Sequence, residues 1–212
     1  MGGAESVETP IVRRRKRGEK LMVVHISGSP GSGKTTLGNR IKKKLNKRGV
    51  RVVDTDELIT RDTLGGKELI VLEQEPDDTH YVKRWREIFA EEINRTIMKY
   101  EKDHYSLVLV FVGILNHWGG PKGNTAEMPE ANLKLFLDVP MTTLLKQTYQ
   151  RYNVEMKDDE EFWRDVAAGR DVIPDSTHII SMATQEREWH DEHGYKFVTA
   201  VDAYQIVLEM IE

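Results

Sequence analysis

Leu21–Ser27, LMVVHIS, runs directly into Gly28-Ser29-Pro30-Gly31-Ser32-Gly33-Lys34-Thr35. The first run is short, apolar and rich in β-branched residues, the pattern of a buried parallel strand. The glycine-rich stretch matches G-x-x-x-x-G-K-[ST] at every fixed position. Leu37, Ile41 and Leu45 then mark the buried stripe of a helix over about Lys34–Arg48, and Gly49 suits its C-terminal end. Strand, glycine turn and helix form the setting in which this motif holds phosphate. Glycines let the backbone curl so that successive N–H groups point inward at phosphate oxygens, and the helix N-terminus adds partial positive charge. Gly28, Ser29, Pro30, Gly31, Ser32, Gly33, Lys34, Thr35 and Thr36 are therefore the candidate nucleotide-binding residues. Lys34 reaches the β- and γ-phosphates, and the Thr35 hydroxyl ligates Mg²⁺. The expected cofactors are ATP and Mg²⁺.

Working outward, Val50–Val53 reads as a second strand that ends at Asp54, with Asp56 two residues on. Val82, Trp85, Phe89, Ile93 and Ile97 recur at helical spacing and predict a long amphipathic helix over His80–Tyr100. Ser106–Leu115 and Leu133–Val139 are the next strands, and Pro140 opens a helix running to about Tyr152. A charged stretch, 153–175, leads to a helix near Thr177–His193. Lys196–Ala200 is the last strand, and Asp202 is expected to cap the last helix, with Gln205 completing a capping box. The alternation predicts a single α/β domain over 21–212, a parallel sheet with flanking helices. Residues 57–79 are polar and irregular.

Composition bounds the function. The net charge of −4 argues against a nucleic-acid partner. No cysteine is present, which excludes disulfides, thiolate nucleophiles and Cys-based zinc sites. The longest apolar run, Leu107–Leu115, is too short to cross a bilayer. A cytoplasmic protein is expected, with a small-molecule partner; oligomeric state is not legible.

Residues 1–20 carry six Lys/Arg against three Glu and no apolar periodicity, so they read as a flexible basic tail whose loss up to residue 18 leaves the core intact. Met1-Gly2-Gly3-Ala4-Glu5-Ser6 also matches M-G-x-x-x-[ST], which with Arg13–Arg17 would make a lipid-plus-charge membrane anchor. The same basic run fits a nuclear localisation signal. These readings stand beside a plain solvated tail.

Beyond the P-loop, three segments carry a family resemblance. Val52-Val53-Asp54-Thr55-Asp56 looks like the Asp-x-Asp segment of shikimate kinases. Leu137-Asp138-Val139-Pro140, followed by Leu144-Leu145 and Arg151, looks like the element leading into the lid of nucleotide kinases. Val201-Asp202-Ala203 resembles the segment near adenine in adenylate kinases. The chain thus resembles the P-loop kinases of small molecules: nucleoside monophosphate, shikimate and gluconate kinases. The resemblance implies ATP-dependent phosphoryl transfer to a small acceptor, a nucleoside or nucleotide first and a sugar acid or shikimate-like polyol second. A non-catalytic nucleotide-binding regulator is the rival reading.

Within that frame Asp54 and Asp56 are candidates to support metal and to orient the acceptor hydroxyl or take its proton, with Asp54 the metal candidate. Arg151, Arg164 and Arg170 flank or lie in 153–175, a candidate lid whose arginines would stabilise the transferring group. Two family positions differ. Val112 precedes Gly113 where many nucleotide kinases have an acid, and Gln147 stands where an arginine is common. The loop Leu115-Asn116-His117-Trp118-Gly119-Gly120 differs from the triple glycine of shikimate kinases. His117 and Trp118 lie where open α/β sheets bind ligands.

Overall fold

The computed structural model describes residues 14–58, 78–114, 128–151 and 159–212. Five strands build one sheet: β1 (Met22–Ser27), β2 (Val50–Asp54), β3 (Val108–Val112), β4 (Leu133–Leu137) and β5 (Lys196–Val198), in the order β2-β3-β1-β4-β5. Every neighbouring pair is parallel. The helices are α1 (Lys34–Leu45), α2 (Asp78–Lys102), α3 (Met141–Arg151), α4 (Glu160–Ala167), α5 (Ser176–Glu192) and α6 (Ala200–Glu209). The α/β class and parallel sheet expected from the alternation are both present. Parallel strands covered on both faces need continuous apolar sequence, which β3 supplies as five fully buried residues, VLVFV.

Strand alternation divides the core. Val24, Ile26, Val108, Val110 and Val112 point to one face, where Leu37, Ile41 and Leu45 of α1 meet Ala203 and Val207 of α6. Val23, Leu109 and Phe111 point to the other, where α2 contributes Trp85, Ile88, Phe89, Ile93 and Ile97. A smaller cluster of Leu145, Tyr149, Trp163 and Val166 ties α3 to α4. At Gly38 of α1, an added Cβ would lie 3.2 Å from a methyl of Val112, so this glycine lets helix and sheet approach closely.

Helix ends refine the sequence boundaries. α1 stops at Leu45 and tightens into a 3₁₀ turn, Asn46–Arg48, before Gly49 at φ 91°. The last helix is capped by Thr199 instead of Asp202: the Thr199 hydroxyl accepts from the Asp202 N–H at 3.2 Å and donates to the Asp202 carboxylate at 2.8 Å. A hydroxyl one turn earlier makes the better cap because it leaves Asp202 free to answer it. Gln205, expected in that box, instead bonds Glu209. The acidic run before α4 is a helix start, with the Asp159 carboxylate accepting from the N–H groups of Glu161 and Phe162.

The basic segment is not solvated throughout. Arg15 is only 8% exposed, and its Nη2 lies 2.6–3.2 Å from the carbonyls of Tyr100, Glu101 and Asp103. Its backbone N–H donates to the His104 carbonyl at 2.8 Å. Carbonyls at the end of α2 leave the helical ladder; those of Tyr100 and Asp103 also accept the N–H groups of Asp103 and Ser106, and the guanidinium adds to these bonds while meeting the negative end of the helix dipole. Composition identified the charge but had no means of showing its partner, 85 residues away. The tail as read over 1–20 is thus corrected at Arg15; the myristoylation-like start lies outside the described residues. Among the described residues no helix is long and apolar enough to cross a membrane.

Arg15→Ala, or deletion through residue 18, is therefore expected to destabilise the domain. Hydrogen bonds to a charged group contribute about 1.5–3 kcal/mol, and a domain of this size loses roughly 2–4 °C of Tm per kcal/mol. Calorimetric melting of the variant checks it, and an unchanged Tm would show that the contact carries no stability.

Candidate functional site

The phosphate-binding sequence closes around its own glycines. Gly31 (φ 81°) and Gly33 (φ 85°) adopt left-handed conformations that side chains disfavour, and Gly33 caps α1. A Cβ on Gly28 would lie 2.6 Å from the Ser32 hydroxyl, and one on Gly31 would lie 3.0 Å from that of Thr148. The Ser32 N–H donates to the Ser29 carbonyl at 3.0 Å, drawing the loop into a ring. Thr35 and Thr36 stand exposed on the first turn of α1. The Ser32 hydroxyl is buried with no hydrogen-bond partner among the described residues. Left-handed glycines, an exposed hydroxyl after the lysine and a loop leading into a helix N-terminus fit a triphosphate with Mg²⁺.

Lys34 donates from Nζ to the carbonyls of Gly28 at 2.5 Å and Ser29 at 2.9 Å. Burial lowers its pKa to about 8; Glu186, Asp56 and Asp54 oppose that shift and Arg151 adds to it. Lys34, Asp54, Asp56, Arg151 and Glu186 thus form one electrostatic neighbourhood at the carboxyl end of the sheet.

Asp54 ends β2 and caps the 3₁₀ turn Thr55–Glu57, its carboxylate accepting from the Asp56 N–H at 3.0 Å. Its register partner on β3 is Val112. Residues in register share a face, so Asp54 lies beside the position where the expected acid is missing. Val112 itself is 2% exposed and packs on Gly38, which leaves no space for a carboxylate to reach solvent there. Asp56 has a raised pKa, first through burial and then through Asp54; Lys34 and Arg151 act the other way.

Of the three arginines, Arg151 at the end of α3 joins this neighbourhood. Arg164 donates from Nε to the Glu160 carbonyl on its own helix, and Arg170 forms an exposed ion pair with Asp165 at 2.7 Å. Gln147 sits against the loop, its Cβ 3.7 Å from where a Gly31 Cβ would be. His117, Trp118 and the first part of 153–175 lie outside the described residues.

The sequence reading missed a polar layer beneath the loop. His25 of β1 bonds the Gly113 carbonyl at 2.8 Å through Nε2 and the Tyr195 hydroxyl at 2.7 Å through Nδ1. A carbonyl only accepts, so Nε2 carries the proton and Tyr195 donates to Nδ1. His190 of α5 likewise donates from Nδ1 to the Glu186 carbonyl at 2.6 Å and accepts from Ser27 at 2.8 Å. This engages both ring nitrogens of His190. A signal existed in the sequence: Ala183, Glu186 and His190 recur at helical spacing and are the buried stripe of α5, although two of them are polar.

Three comparisons with known proteins bear on the site. No protein-family model matches the chain. A shikimate kinase of Corynebacterium glutamicum is 24% identical over 172 residues, which cover 79% of this chain and 89% of that protein. Two solved shikimate kinases are 17% identical: that of Acinetobacter baumannii in complex with shikimate, with 91% of this chain and 94% of that one covered and a TM-score of 0.47, and that of Bacteroides thetaiotaomicron, with 90% and 98% covered and a TM-score of 0.49.

The buried histidines set the acid response. Burial, the largest cause, lowers the pKa of His25 to about 3 and of His190 to about 4, from 6.5. Unfolding below pH 6.5 lets both bind protons that the folded state refuses, so their stabilisation is complete above 6.5 and is lost as pH falls towards 4 and 3. Glu186, raised by burial to about 7, acts in the opposite sense between 4.5 and 7, and the two imidazoles outweigh it. Unfolding free energy from urea titrations should fall from pH 6.5 to 4.5, and His190→Gln should flatten that slope. A slope unaltered in the variant would rule His190 out as a source.

Proposed function

We propose that this chain, a P-loop phosphotransferase of the small-molecule kinase group, moves the γ-phosphate of ATP to a hydroxyl of a small polyol acid of the shikimate kind. The observation that carries the reading is the convergence of Lys34, Arg151, Asp54 and Asp56 at the carboxyl end of β1 and β2. The relative from Corynebacterium glutamicum supports the acceptor class. The two segments that had favoured a nucleoside or nucleotide have structural employment instead. Asp138 is ion-paired with Arg187, and Asp202 completes the Thr199 cap. A kinase domain over 21–212 with a lid over 153–175 remains part of the proposal.

Each residue then has a task. Backbone N–H groups within Gly28–Thr36, Pro30 having none, hold the phosphates, and Lys34 draws the β- and γ-oxygens together. Thr35 would supply a hydroxyl to Mg²⁺, and Asp54, on the strand beside Val112, would support the ion. A Mg²⁺ held by these residues would supply neutralisation of the phosphate charge. Asp56 orients the acceptor hydroxyl and receives its proton; burial and the neighbouring Asp54 raise its pKa and make it a stronger base than an ordinary aspartate. Arg151 faces the charge that gathers on the transferring group. Arg164 and Arg170 act from the lid. An exposed ion pair such as Arg170–Asp165 is worth little, so the exchange of Asp165 for a phosphate oxygen is not opposed by much.

Two experiments test this. Lys34→Ala should keep the fold and lose productive ATP·Mg²⁺ binding by calorimetric titration; unchanged affinity and turnover would sink the P-loop role. In a steady-state screen of polyol acids, sugar acids, nucleosides and nucleoside monophosphates, turnover should follow shikimate-like acids. Asp56→Asn should then cost about 10²–10⁴-fold in rate, and Asp54→Asn should show a raised Mg²⁺ requirement, with ATP affinity largely kept. Wild-type transfer in both Asn variants would remove them from the site. ATP binding with no acceptor-dependent turnover would favour the regulator.

A further inference from the structure

The mechanism above leaves Glu186 unused, although it is 6% exposed and lies on the lid-following helix α5. Its carboxylate takes a hydrogen bond from the Ser29 hydroxyl of the P-loop. Among the charges that keep Lys34 protonated, Glu186 is the largest, ahead of Asp56 and Asp54. Its backbone carbonyl accepts from His190 Nδ1 at 2.6 Å, and His190 Nε2 accepts from Ser27 at 2.8 Å, one residue before the loop begins. One turn of α5 therefore grips the loop on both sides of Gly28. The lysine's ammonium is also held from the loop itself, by the Gly28 and Ser29 carbonyls.

We propose that Glu186 is a positioning residue for Lys34: from α5 it fixes the Ser29 hydroxyl and supplies the carboxylate that orients the phosphate-binding ammonium. A lysine has three rotatable donors on a flexible stem. Two loop carbonyls restrain the head on one side, and a carboxylate in a low-dielectric setting restrains it far more strongly than water would. The phosphates enter where backbone N–H groups converge, so a lysine already aligned keeps more of its attraction for the transferring group. The arrangement also connects α5, which continues from the lid segment, to the group that grips the γ-phosphate. Burying this carboxylate is unfavourable, as its pKa of about 7 records. An apolar side chain would serve packing alone at this position.

This inference rests on the kinase reading, and the test separates the two. Single-turnover transfer from γ-labelled ATP is measured for wild type, Glu186→Gln, Glu186→Asp, Lys34→Met and the double variant Lys34→Met/Glu186→Gln, with Tm recorded for each. Glu186→Gln should slow transfer about tenfold, within the usual range of coupling between neighbouring groups, while KM for ATP changes less. Glu186→Asp, which keeps the charge on a shorter stem, should restore part of the rate. The decisive comparison is the double variant, which should be no slower than Lys34→Met alone, since a residue acting through Lys34 has nothing left to position. An equal loss from Glu186→Gln in both backgrounds would overturn the proposal in favour of a packing role. So would a wild-type rate in Glu186→Gln. If that variant does not fold, Glu186→Asp runs through the same cycle. Wild-type transfer by Lys34→Met would instead refute the kinase reading, and this inference with it.

Discussion

A half-buried ammonium group has to be surrounded by oxygen, and much of this molecule is arranged to meet that demand at Lys34. Removing its charge from water lowers its pKa to about 8, and three carboxylates on two different elements work against that loss. Asp54 and Asp56 arrive from the end of β2, and Glu186 arrives from α5. Loop carbonyls of Gly28 and Ser29 complete the shell. The parallel sheet brings these parts together because strands running the same way deliver all their carboxyl ends to one edge. A ligand rich in negative charge meets there a cation that the fold has kept charged and directed.

The polar layer beneath the loop has a different physical basis. His25 and His190 are neutral because burial disfavours their charged forms, and each has one nitrogen committed as donor and the other as acceptor. Two imidazoles thereby hold Gly113 at the end of β3 and Ser27 at the end of β1. A fully satisfied buried network of this kind favours one geometry over alternatives. It stiffens the edge on which the phosphate loop stands.

Much of this was legible in the chain itself. Local patterns carried it: the glycine spacing gave the loop, β-branched runs gave the strands, and the recurrence of Trp85, Phe89, Ile93 and Ile97 at every fourth residue gave α2. Asp54 and Asp56 were found because they stand at a strand end two residues apart. What escaped notice depended on distance in sequence. Arg15 meets carbonyls some 85 residues on, and Glu186 is separated from Ser29 by most of the domain. A charged residue in a helix reads as solvated unless its partner is known, and only the packing of α5 against the loop supplies that partner. Arg164 and Arg170 are a different case: the charged stretch suggested phosphate contacts, their bonds here run to Glu160 and Asp165, and their role in transfer belongs to the proposal.

The contact between Gly38 and Val112 limits which side chains the neighbouring strand can carry. Because α1 lies so close to β3, a Cβ at position 38 would already crowd the valine methyls. An aspartate introduced at 112, where the valine is 2% exposed, would put its charge into that apolar seam. A single substitution at 112 therefore does not supply a usable acid on the third strand. In this packing a carboxylate at the carboxyl end of the sheet has its place on β2, where Asp54 stands at the strand end, and not at its register partner on β3. The helix–sheet fit, a matter of packing alone, thus decides where in the fold the chemistry is free to evolve.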